Sequence, residues 1–266
     1  MEYILPDLNL LEVKSEISRD GVSGKFVIEP LSPGYGVTVG NTLRRILLAS
    51  LEGYAVRSVK INGIDHEYST IKGMKEDVVD LILNLKSARF RLVGADVATL
   101  ELFVKGPKKV TCADFKKNAG VEIVDSRHYL ATLESGGQLE LSVEIDKGRG
   151  YMPVERRQKD KGPVGTIVVD STYTPVKKVR YDVENARVGG MTDYNRLTLE
   201  ITTDGTMAPQ EALGQAAQIM NEHLQVVREA CEKIKPRAAK SEKTKEKKAE
   251  KGPVKKSISK PNKRKK

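Results

Sequence analysis

The chain has 266 residues, enough for one large domain or two modest ones with ample apolar surface to bury. Its formal charge of +10 is unevenly placed: residues 235–266 carry 15 Lys and Arg against three Glu, net +12, and the other 234 residues carry 31 basic and 33 acidic groups, net −2. The part able to fold is therefore near neutral, which argues against a basic nucleic-acid-binding domain, and zero Trp with four Phe leaves little aromatic surface for stacking bases. No apolar run approaches the ~20 residues of a membrane span, and the acidic start MEYILPDLNLLEVKSE does not read as a leader. Cys112 and Cys231 form no C-x-x-C pair, so a reduced, cytoplasmic protein is expected.

In chain order, alternating apolar and polar residues predict strands at KFVIEPL, AVRSVKI, ARFRLVG, ATLELFVKG, VEIVD, HYLATLE, LELSVEI, GTIVVDSTYTPV, KVRYDVENARV and RLTLEITTDG. Only 40–52, 75–86 and 209–234 read as helices. Many strands joined by short turns predict an α+β fold with antiparallel sheets. The longest helices lie near the two ends of the globular part. The expectation is one subdomain built from 1–52 and 179–234, with 53–178 folding as a β-rich insert and junctions near Gly53 and Lys178. The Lys-rich segment 235–266 has three prolines and few large apolar residues, so it reads as a disordered tail.

The stretch GYGVTVGNTLRRILLAS follows a strand and has the look of a phosphate-binding loop. Its glycines, Gly34, Gly36 and Gly40, are one residue too widely spaced for G-x-G-x-x-G, and no lysine follows Gly40 as a Walker loop needs. The simpler expectation is a glycine loop turning into a buried helix, which Gly53 then ends. At ~100° per residue, Leu43, Ile46, Leu47 and Ser50 share a core face. Asn41, Arg44, Arg45, Leu48 and Glu52 lie opposite. A leucine flanked by arginines is a common interface composition; a neighbouring element of the same chain could equally cover it.

In the C-terminal helix, Leu213, Ala217, Met220, Leu224, Val227, Cys231 and Ile234 recur at 4-3 spacing. That narrow seam favours a partner helix, and a second copy of the chain could supply it. A long helix lying on its own sheet is the alternative. No catalytic set emerges. His66, His128 and His223 are scattered, HEYST lacks the second histidine of a zinc motif, no G-x-S-x-G elbow occurs, and Glu76-Asp77 reads as a helix start. Neither a cofactor nor a metal is implied.

PGYGVTVGNTLRRILLASLEGYAV, HEYSTIKGMKEDVVDLILNLK, GRGYMP and YDVENARVG together resemble the N-terminal domain of the bacterial RNA polymerase alpha subunit family, in order and over roughly residues 1–234. The resemblance implies a homodimer that serves as the platform for the beta and beta-prime subunits, in the cytoplasm and nucleoid, within a nucleotidyltransferase and without an active site of its own. It assigns large-subunit docking to Arg44, Arg45 and Leu48, with further contacts at His66, Lys72, Lys86 and Arg149 of the GRGYMP turn. Tyr35, Ile46 and the seam residues Leu213, Ala217, Met220, Leu224, Val227 and Cys231 are assigned to the dimer. The family usually continues into a helical DNA-binding domain; here the basic segment stands in that place, and direct DNA contact would be non-specific and through it. The alternative is a stand-alone basic nucleic-acid-binding protein acting through that tail.

Overall fold

The computed structural model describes residues 11–157, 165–188 and 191–233, so the expectations for 235–266 lie outside the described residues. In chain order the elements are β1 (Glu12–Ile17), β2 (Ser23–Leu31), α1 (Tyr35–Ala49), β3 (Glu52–Ile61), α2 (Val78–Ser87), β4 (Phe90–Leu92), β5 (Val97–Lys105), β6 (Lys108–Thr111), β7 (Val121–Ile123), β8 (Tyr129–Leu133), β9 (Gln138–Arg149), β10 (Tyr151–Met152), β11 (Thr166–Val168), β12 (Ser171–Thr172), β13 (Val176–Val188), β14 (Met191–Thr203) and α3 (Pro209–Lys233). The fold is α+β, and its strand pairs are antiparallel. The chain divides into two units, Met1–Leu224 and Gln225–Lys266.

Two four-stranded sheets organise the first unit, in the orders β1-β2-β14-β13 and β11-β3-β9-β5. In the first, Phe26 pairs with Leu199 and Ile28 with Leu197, so period-two alternation aims these residues at one face. There they meet Leu43 and Leu47 of α1 and Ala212 and Ala216 of α3. The opposite face carries Lys25, Glu29, Arg180, Asp182, Glu184, Arg196 and Glu200. The second sheet buries Val59, Leu100, Val143 and Ile145 against Leu81 and Leu85 of α2, with Phe90 and Phe115 edge to face at 6.1 Å. The α2 helix starts where an acid should stand: Asp77 caps it, accepting from the Asp80 N–H at 2.7 Å.

The glycines correct the sequence reading. Helix α1 begins at Tyr35, five residues before the expected start, so Gly36 and Gly40 are inside it and only Gly34, at φ 83°, makes the turn. A Cβ on Gly36 would lie 2.6 Å from Val183 Cγ1, and one on Gly40 2.8 Å from Leu197 Cδ1. These two glycines let the helix press onto β13 and β14, and close approach outweighs their weak helix propensity. Gly53 is also not the helix stop. Ser50 caps α1, and Gly53 lies in β3, where a Cβ would sit 1.7 Å from the Tyr173 carbonyl oxygen. Strands β1, β6 and β10 were not among the expected ones; β1 is exposed at every position, so no alternation marks it.

Candidate functional site

On α1, Arg44 and Arg45 are exposed and have no ion pair among the described residues. Leu48 is only half exposed, because its flank packs on the α1/α3 core. Val37 stands 55% exposed, and at ~100° per residue it falls on the Leu48 side of the helix. Sequence periodicity missed it because the helix was expected to begin later. Tyr35 and Ile46 fall roughly 140–160° away from Leu48 on the same wheel, so α1 presents two distinct flanks.

The α1 helix runs directly into a charged clamp. Glu52, expected on the helix's outer face, is instead the first residue of β3. It accepts from Arg149 Nη2 at 2.8 Å and pairs with Lys147 Nζ at 2.7 Å. Hydrogen bonds from Lys147 and Arg149 hold its carboxyl below the ordinary carboxylate range. The GRGYMP turn then folds back on the helix end: Gly150 takes φ 64°, and a Cβ there would stand 3.5 Å from the Ala49 carbonyl oxygen, an ordinary contact distance. Beneath it lies a buried cluster. Tyr173 donates to Asp146 at 2.6 Å, Arg157 donates to the Tyr173 hydroxyl, and Arg157 Nη2 stands 3.6 Å from Asp146. Desolvation and then Asp146 push the Tyr173 phenol up to about 12.

Asp170 joins the turn to α2. It accepts from the Val154 N–H at 3.0 Å, and its other oxygen is 3.5 Å from Lys86 Nζ. The Val154 bond, with Lys86 and Tyr151, keeps its carboxyl below the usual value despite some desolvation. Around this node runs a shallow groove of about 190 Å³, lined among others by Glu67, Tyr68, Ile82, Leu83, Lys86 and Asp170. Tyr68 is 81% exposed and Leu83 51%. His66, one residue before the lining, is exposed and bonded to Ser69 Oγ at 3.0 Å.

Thus Lys86 lines one groove with Glu67 and Tyr68, while Arg149 pairs with Glu52 at the end of α1. Lys72 does not line that groove. It is exposed beside Gly73–Glu76, which is tied to β8: Gly73 O accepts from the Glu134 N–H at 2.8 Å, and Glu76 accepts from Tyr129 and from the Thr132 N–H at 2.7 Å. Asp170 and Leu83 were missed, since only the folded sheet brings residues 68, 83, 151 and 170 together.

The α3 seam lies about a quarter turn from Ala212 and Ala216, which face the sheet. Leu213 and Met220 are half buried, Ala217 is exposed, and Leu224 is 58% exposed. Tyr35 at 43% and, on β1, Val13 at 57% and Ile17 at 43% add apolar surface; by register Val13 and Ile17 are on the helix-bearing face of their sheet. In the second unit, Val227 is 59% exposed and Cys231 is exposed. No helix among the described residues is long and apolar enough to cross a membrane, and no group of three His, Cys, Asp or Glu there could hold a metal ion.

Residues 59–174 match the family model of the RNA polymerase Rpb3/RpoA insert domain. The chain is 48% identical over 211 residues to a DNA-directed RNA polymerase subunit alpha of Clostridium botulinum (strain Eklund 17B / Type B), covering 79% of this chain and 67% of that protein. It is 46% identical to the subunit of the same name from Clostridium acetobutylicum and 48% to that from Clostridium beijerinckii, with the same coverage of both chains.

Proposed function

The chain belongs to the family of bacterial DNA-directed RNA polymerase alpha subunits, and from that premise we propose that it is the assembly platform of a nucleotidyltransferase complex, with no active site of its own. Two copies pair through Tyr35 and Ile46 of α1 and the α3 seam Leu213, Ala217, Met220, Leu224, Val227 and Cys231. The beta and beta-prime subunits dock on the strip that starts at Arg44, Arg45 and Leu48. It runs through Arg149 to Lys86 and the His66 segment, with Lys72 as an outlying contact. Residues 1–52 and 179–234 form the dimerisation subdomain and 53–178 the insert.

The observation that carries this reading is the division of α1 into two flanks. One carries Tyr35 and Ile46; the other offers the exposed guanidinium groups of Arg44 and Arg45 beside Leu48 and Val37. Arginine with an apolar anchor is the composition of interface hot spots, and exposed apolar stripes on helices mark helix-on-helix association. A platform needs both surfaces at once, and neither needs a catalytic group.

The test is reconstitution with purified beta subunit. Arg45→Ala and Leu48→Ala are each expected to weaken capture by ~2 kcal/mol while the chain's own oligomeric state stays unchanged. Normal capture by both variants would remove this face from the docking site.

A further inference from the structure

We propose that Arg89 is a positioning residue that couples the groove at the end of α2 to the start of α3 through an ion pair with Asp204. This rests on the docking and dimerisation roles assigned above. Arg89 lies between α2 and β4, and its guanidinium reaches in two directions. Nη1 donates to the Lys86 carbonyl at 3.3 Å, in the last turn of α2. Nε stands 3.1 Å from Asp204 Oδ2, where the Asp204 side chain is 5% exposed and that of Arg89 22%.

Asp204 in turn builds the approach to α3. Its Oδ1 accepts from the Thr206 N–H at 3.0 Å and from the Thr206 hydroxyl at 2.5 Å, and its own N–H donates to the Pro175 carbonyl at 2.9 Å. The next residue, Gly205, at φ 94°, passes so close to the insert that a Cβ would lie 3.2 Å from Val124 Cγ1. The Val124 N–H donates to the Arg89 carbonyl at 3.1 Å. The loop that launches α3 thus meets the insert at Arg89 and at a residue bonded to Arg89.

A carboxylate this buried requires its counter-charge, because an uncompensated buried charge is strongly destabilising. The Arg89 Nε–H is buried without an aligned hydrogen bond, so charge proximity rather than a directional bond holds the contact. Such a contact depends on how the insert sits against the loop. Lys86 follows the same guanidinium through its carbonyl, and its ammonium faces Asp170 in the groove. A partner seated in the groove therefore loads Arg89, and Arg89 loads the Asp204–Thr206 loop that leads into α3.

Two substitutions isolate the pair. Arg89→Met keeps the aliphatic stem and removes the charge. Asp204→Asn keeps an oxygen for Thr206 and removes the opposing charge. In amide exchange on the full chain, each variant is expected to speed exchange about tenfold at both 84–88 and 204–212, with the double variant no worse than either single one. Capture of beta should fall about tenfold in each, with sedimentation unchanged. Exchange that rises on one side only, additive effects in the double variant, or capture equal to that of the unmodified chain would overturn the coupling. If the unmodified chain captures no beta, the docking reading fails, and the exchange pattern still decides whether Arg89 couples the two elements.

Discussion

The α2 core and the α1/α3 core are both made of a four-stranded antiparallel sheet with helix laid on it, yet they close differently. Around α2, Leu81 and Leu85 are fully buried, Phe90 meets Phe115, and residues of strands β4, β6 and β8 join the same buried cluster, with Tyr68, Leu83 and Phe103 left exposed at its margins. Around α1 and α3, Leu43, Leu47, Ala212 and Ala216 are the buried contacts, Ile46, Leu48, Leu213 and Ile219 pack partly buried beside them, and Tyr35, Leu224, Val13 and Ile17 stay in solvent. A core that uses alanine and glycine at its helix–sheet contacts brings backbones close but buries little area per residue. What the two teach together is a division of labour. Leu81, Leu85 and Phe90 are enclosed within one chain, whereas the helix-bearing sheet leaves Tyr35, Leu224, Val13 and Ile17 as the surface that the proposed second copy would cover.

The sharpest way to break that contrast is to damage the self-sufficient core. Phe90→Ala removes a fully buried ring and is expected to cost about 3–5 kcal/mol. The loss should appear in urea unfolding and as faster amide exchange across β4, β5 and β9, while self-association persists at concentrations where the variant is folded. Equal loss of exchange protection in α1 would show that the two cores are not separable. The unfinished surface is addressed by Leu224→Glu, which places a charge on the seam at a desolvation cost of several kcal/mol if a partner covers it. Light scattering should then report the mass of one chain, and melting should fall by no more than the stabilisation that association supplies, because in the single chain this position is already exposed. Retention of the dimer would remove Leu224 from the interface.

A smaller effect separates the cores by pH. Desolvation, then Asp125, pushes the Cys112 thiol up to about 12, and Tyr173 is also held at about 12. In the unfolded chain these groups lose their protons near 9 and 10 respectively. The native state thus binds more protons between those values and 12, and stability falls as pH rises through that window. Cys112→Val and Tyr173→Phe should each flatten the alkaline decline, with neutral stability little changed by Cys112→Val and lowered by about 1–3 kcal/mol by Tyr173→Phe, which strips Asp146 and Arg157 of a buried partner. An unchanged slope between pH 9 and 12 would contradict the assignment. At neutral pH a thiol reagent should spare buried Cys112.

Legibility in the sequence followed the physics of each element. Strands with one buried face, such as β5 and β9, announced themselves by alternation. β1 did not, since both its faces are exposed, and α1 was read short because Gly36 and Gly40 look like helix breakers until the sheet beneath them is known. The flank bearing Arg44 and Arg45 was legible because residues on one helix follow a fixed angle. The Asp170 node was not: it joins Lys86, Val154 and Tyr151, which only strand pairing and the return of the GRGYMP turn bring together. Glu52 shows the same limit, since its place in the clamp depends on its register opposite Arg149. Asp204 is likewise silent in sequence, as its partner lies more than a hundred residues earlier.

Sedimentation equilibrium of the purified full chain, alone and at micromolar concentration, tests the central claim most directly. The α1 and α3 flanks that remain in solvent in one chain are read here as the surface a second copy covers. The measurement is therefore expected to give twice the chain mass, with dissociation only on dilution well below that range. A single-chain mass across the micromolar range would contradict the account, because the apolar flank would then need no partner of its own kind.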